Sequence, residues 1–143
     1  MSSPTPSPIE ARIVEVSVPI KKVYNSIAEV KERMKEKIVA KWGLDQWING
    51  AEPLFRNESG FNPTIRNRQT GEACGIPQAV PCSKLKCPLT FDIDAVECQI
   101  DWSISYIARN YIDPINAWRT WQTVRCIGFD RFGNCLGWKD RWY

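Results

Sequence analysis

Six cysteines constrain the fold of this chain more than any other feature. They are Cys74, Cys82, Cys87, Cys98, Cys126 and Cys135, all in the second half of 143 residues. An even count with no Cys-x-x-Cys pair argues for three disulfides and an oxidising compartment. Cys126 and Cys135 bracket Ile127 to Asn134, a stretch with turn residues near its middle and end, so they are expected to staple a small hairpin. The other four leave three connectivities open. Cys74 with Cys82 and Cys87 with Cys98 are preferred, because each pairing closes a short local loop. A four-cysteine zinc site is the competing reading, but Cys98 has no close cysteine partner, and no metal is expected.

The chain contains no histidine. Ser-His-Asp and Cys-His nucleophilic chemistry are therefore excluded, along with every histidine-containing metal site. Carboxylate, tyrosine, lysine and arginine chemistry remain. Hydrophobic residues make up 43% of the chain, enough for one domain with a real core. No apolar run approaches the ~18 residues of a membrane-spanning helix, so no membrane insertion is expected. The net charge of +3 is compatible with an anionic polymer as partner. The basic residues are scattered among acids, which argues against nucleic acid.

Residues 1–8 read as the tail of a Ser/Thr/Pro linker and lack the features of a secretory signal. Residues 9–24 are β-branched with partial alternation, an extended arm without an assigned role. The domain proper is expected over 25–143. Ser26 and Glu29 form a capping-box pattern, and Ile27, Val30, Met34, Ile38 and Trp42 then make one apolar stripe ending at Gly43. The charges on the opposite face, Glu32, Arg33, Lys35, Glu36 and Lys37, read as solvated. A shorter helical segment from Leu44 to Phe55 is expected to deliver Glu58, interrupted by Gly50 and Pro53 with a break or a fresh start near Pro53. Residues 60–90 read as loops with a small hairpin. A strong helix is predicted from Asp92 to Tyr111, and Pro114 is expected to start another through Trp121. The class is mainly α, with a small disulfide-tied lobe.

Glu58 sits between an aromatic-rich run and a turn, in Glu58-Ser59-Gly60-Phe61-Asn62-Pro63. Gly75-Ile76-Pro77-Gln78 follows, then Gln99-x-x-Trp102-x-x-x-Tyr106-Ile107, then Pro114 to Trp121 and a closing Arg-Trp-Tyr. Together these stretches, over roughly residues 41–143, resemble the lytic transglycosylase branch of the lysozyme-like superfamily. The resemblance implies packed helices with a substrate cleft against a small β-hairpin lobe (an α+β lysozyme-like fold). It implies Glu58 as single catalytic acid and peptidoglycan glycan strands as substrate. The bond cut would be the β-1,4 link between N-acetylmuramic acid and N-acetylglucosamine, leaving a 1,6-anhydro end. No cofactor is implied. The chain is read as a monomer that is extracellular or cell-wall associated.

The chemistry suits these residue types. Glycosidic cleavage needs a proton on the leaving oxygen as positive charge builds on the sugar. A carboxyl at a helix end, walled by aromatics, is expected to have a raised pKa and so to donate that proton near neutral pH. The substrate's own C6 hydroxyl can then attack, its proximity already secured by the covalent frame. Gln78 offers donors and an acceptor to an acetamido sugar. Gly75 would let backbone approach the sugar, and Ile76 and Ala79 would line the cleft. Ser59 either orients Glu58 or caps the next turn. Tyr106 is expected to face the cleft near Glu58, while Tyr111 and Trp118 are sugar platforms or core. This chain departs from the family's pattern at Glu72, at Cys74 where an aromatic is usual, at Cys82 where Gly is frequent, and in residues 126–137, which look inserted. Two rival readings follow. One is a lysozyme-type hydrolase with water activated by Asp92, Asp94 or Asp101. The other is a non-catalytic wall-binding module on the same fold.

Overall fold

A computed structural model describes residues 22–68 and 72–137. The expected linker, residues 9–21 of the arm and the closing Arg141-Trp142-Tyr143 lie outside the described residues. Helix α1 spans Ile27–Trp42. Its start is held reciprocally: Ser26 Oγ accepts from the Glu29 amide at 3.2 Å, and the Glu29 carboxylate accepts from the amide of Asn25 at 2.7 Å. The acid thus reaches one residue further back than the usual box. Gly43 ends the helix at φ +97°, its amide donating to Val39 O. Val30, Met34 and Ile38 are fully buried, whereas Ile27, expected on the same stripe, is 41% exposed because it precedes the packed turns.

Helix α2 is built from three pieces, Leu44–Gln46, the π turn Trp47–Ala51, and Glu52–Glu58. The fresh start expected near Pro53 is seen, since a new α piece begins at Glu52, though it follows the π turn with no loop between them. Pro53 sits in the first turn of the last piece, where a missing N–H costs least. Gly50 serves packing instead: a Cβ there would lie 2.6 Å from Pro114 C and Ile115 N. Only glycine lets the backbone of the following helix come so close.

Strands β1 (Arg66–Asn67) and β2 (Ala73–Cys74) form a two-stranded antiparallel sheet, and a 3₁₀ turn follows at Cys82–Lys84. Helix α3 covers Ile93–Asn110 and α4 covers Pro114–Arg125. Asp113 caps α4 by accepting from the Asn116 amide at 2.9 Å, and α4 runs four residues beyond the expected Trp121. The chain is mainly helical with this one small sheet among the described residues. None of its described helices is long and apolar enough to cross a membrane.

Residues from all four helices, with Phe61 and Ile76, make the main core. A satellite cluster of Cys74, Ala79 and Leu85, with Trp102 against it, fills the lobe. Disulfides join Cys74–Cys82, Cys87–Cys98 and Cys126–Cys135, the local pairings in each case. The last closes a hairpin-like loop through the Phe129–Cys135 bridge. The charged face of α1 is not simply solvated. Arg33 and Lys37 each reach Glu97 on α3 at 2.6 Å, and Tyr24 Oη donates to the same carboxylate at 3.1 Å. From the end of the arm, Tyr24 N donates to Phe91 O, and Lys22 O accepts from Ile93 N, so residues 22–24 pair with the entry to α3.

Candidate functional site

Glu58 is the last residue of α2, half-buried, at the floor of a groove of about 200 Å³. Leu54 and Phe55 join it there. One wall is the turn Pro77–Val80 with Lys84, and the other is α3 through Trp102, Ser103, Tyr106 and Ile107. Tyr111 and the α4 residues Ala117, Thr120 and Val124 complete it. The lining is mostly apolar or aromatic. Glu58 and Lys84 are the charged residues among the described ones lining it.

Three separate anchors hold the carboxyl. The Ser59 and Gly60 amides both donate to Phe55 O at 3.0 Å, closing the helix end. Ser59 Oγ donates to Ile76 O at 2.7 Å, so Ser59 ties the end of α2 to the opposite turn. It does not line the groove, and its role is neither of the two expected from sequence. Finally, Trp121 Nε1 donates to Glu58 Oε1 at 2.5 Å. Trp121 is 4% exposed, with Trp118 stacked on it at 4.9 Å and the Arg125 guanidinium 4.4 Å from its ring centre. Packing on the ring fixes the direction of the N–H.

The Gly75–Gln78 turn is placed from behind. Gln99 on α3 is fully buried, and a buried amide must satisfy its polar atoms. Its Oε1 accepts from Ile76 N at 2.9 Å, and its Nε2 donates to Pro63 O at 3.0 Å and Pro88 O at 2.8 Å. One side chain thereby fixes three loops. Gly75, at φ +73°, lies against it: a Cβ would sit 2.8 Å from Gln99 Oε1 and 2.7 Å from Leu85 Cδ2. The close approach that Gly75 permits is to protein and not to a ligand, which corrects the sequence expectation. Ile76 is also corrected, being fully buried in the core and outside the groove. Gln78 does line the groove, but it is 6% exposed, and its Nε2 donates to Gly75 O at 2.9 Å. That bond closes its own turn in the left-handed region at φ +52°. Ala79 lines the groove as expected.

Trp102, Tyr106 and Tyr111 form a ladder along the groove. Trp102 and Tyr106 stack at 5.0 Å and 8°, and Tyr106 meets Tyr111 edge-on at 6.0 Å. Burial first, then the adjacent Tyr106 and the charge of Glu58, push the Tyr111 hydroxyl up to about 12, so it stays protonated across any working pH. Trp118 is outside the groove, packed on Trp121. Asp92, Asp94 and Asp101 do not line the groove either, and Asp101 pairs with Lys37.

Sequence reasoning missed Trp121, Gln99, Trp102 and Lys84. The first three stand in motifs singled out there. The usable signal for Gln99 was an amide on the apolar face of a strong helix, one step from Val96 and Ile100. Lys84 carried no local signal. No family model, curated protein or solved structure matches the chain.

Proposed function

We propose that the chain has a lysozyme-like fold and cleaves peptidoglycan as a lytic transglycosylase, with Glu58 as acid and then base. The observation that carries this reading is a single carboxylate, clamped and half-buried, in an aromatic-lined groove where no second carboxylate joins it among the described lining residues. A hydrolase of the usual two-carboxyl design needs a second acid to activate water or attack the sugar. Asp92, Asp94 and Asp101 do not supply one, since all three lie away from the groove. A substrate carrying its own nucleophile removes that requirement, as N-acetylmuramic acid does with its C6 hydroxyl.

The clamp suits a division of labour between the two oxygens in this reading. An indole N–H only donates, so Oε1 of Glu58 is the accepting oxygen and the transferable proton belongs on Oε2. Glu58 gives that proton to the glycosidic oxygen as the bond breaks. The resulting carboxylate takes the proton of the C6 hydroxyl, which closes on C1 to give the 1,6-anhydro ring. The acid is regenerated and no water is consumed. Tyr106 and Trp102 offer flat faces to sugar rings. Three disulfides favour an oxidising compartment, which suits an extracellular or wall-associated protein.

Glu58→Gln preserves shape and removes the proton. Purified protein incubated with cell-wall sacculi is expected to release muropeptides about 10²–10⁴-fold more slowly after this change. Undiminished release by the variant would refute the assigned role. Strand binding with no turnover by the unaltered chain would identify a wall-binding module instead.

A further inference from the structure

Among the described residues, Lys84 is the one cation lining a groove whose remaining lining, apart from Glu58, is uncharged and mostly apolar or aromatic. It ends the 3₁₀ turn Cys82–Lys84, which the Cys74–Cys82 disulfide anchors, and it is exposed. Among the described residues it forms no ion pair, although six other contacts between basic and acidic side chains do form. An aromatic ladder lines the same groove as Lys84 and Glu58. Trp102 packs against the same cluster as Leu85, beside Lys84. From there the ladder steps through Tyr106 to Tyr111, whose hydroxyl feels the Glu58 charge. The ammonium and the carboxyl thus line one groove together with the uncharged rings of this ladder.

On the basis of the glycan-cleaving reading above, we infer that Lys84 is a specificity residue. It receives a carboxylate projecting from the strand bound in the same groove as Glu58. A neutral amino-sugar polymer offers nothing to this ammonium. A strand of muramic type does, either through the lactyl arm where no peptide is attached or through an acid group on the peptide. The partner is a carboxylate in both cases. Because the ammonium is a compact point charge on a flexible stem, it accepts either source without demanding a fixed geometry. Its contribution is an exposed charge pair, modest in size and screened by salt.

The test uses the whole chain carrying Glu58→Gln, so that strands bind without turnover, and follows binding by isothermal titration calorimetry. Three probes are compared: a neutral N-acetylglucosamine oligomer, a peptide-free muramyl strand, and a peptide-bearing strand. Adding Lys84→Gln is expected to weaken one or both carboxylate-bearing probes about three- to tenfold, to leave the neutral oligomer unchanged, and to flatten the salt dependence. Lys84→Arg should restore binding. Weakening of the peptide-free strand assigns the lactyl carboxylate, and weakening of the peptide-bearing strand alone assigns the peptide. Binding of all three probes that Lys84→Gln leaves unchanged, or weakens equally, overturns this inference alone. No binding of any probe by the Glu58→Gln chain overturns the glycan reading and this one with it.

Discussion

Glu58 depends on Trp121 for its aim, and the two meet from different helices at 2.5 Å. Trp121→Phe keeps an aromatic ring against Trp118 and removes the donor together with part of the buried indole. On the proposed reading, kcat is expected to fall about tenfold with KM changed less, because the lost contact would orient the acid and not the substrate. Unchanged kcat would show that the indole N–H is incidental. At this scale the sequence was informative about residue type and poor about direction. Glu58, Gln78, Tyr106 and Tyr111 do meet in one groove. Gly75, Ile76 and Ser59, read from the same motifs, turn away from it and build its back wall. The difference lies in side-chain direction, which spacing in a turn does not encode. Gln99 illustrates the same limit, since its three partners come from loops far apart in the chain.

Helix α2 shows what local propensity gives and what it leaves out at the scale of an element. Glycine and proline three residues apart read as a break or a fresh start, and an α piece does begin beside Pro53, but the π turn that carries the backbone through Gly50 toward Glu58 was not legible. The deciding contact is long-range: the start of α4 leans on Gly50. Gly50→Ala should gain about 1 kcal/mol in helix propensity and lose more to overlap with the backbone of Pro114 and Ile115. We expect a net loss of about 2 kcal/mol in chemical denaturation, with activity reduced as well, because the clash separates the helices that carry Glu58 and Trp121. A stabilised Gly50→Ala protein would contradict this. The other elements were easier to read. A regular apolar stripe marked α1 and α3, and Pro114 marked the start of α4.

The whole molecule is held by its core, its local disulfides and one clasp of charge between α1 and α3. Burial alone would raise the Glu97 carboxyl, but hydrogen bonds from Arg33, Lys37 and Tyr24 outweigh it and hold it at about 2. In the unfolded chain the group returns to its ordinary value near 4.5. The folded state is therefore favoured above pH 4.5 by about 2 kcal/mol, and this advantage fades as pH falls toward 2. Glu97→Gln should lower stability clearly near pH 6 and by less than half as much at about pH 3. An equal penalty at both values would remove the clasp from the account. The charge pattern of α1 did not reveal this clasp, because its partner lies some sixty residues away on α3.

The central claim is that one carboxylate opens a glycan strand with no water taken up, and the oxygen balance of the products tests it most directly. Sacculi digested in water enriched in heavy oxygen would be analysed by mass spectrometry, for the unaltered chain and for Glu58→Gln. The account predicts anhydro-ended fragments free of solvent oxygen, released by the unaltered chain and largely lost in the variant. Fragments that carry one heavy oxygen at a reducing end, or release that survives Glu58→Gln, would contradict it.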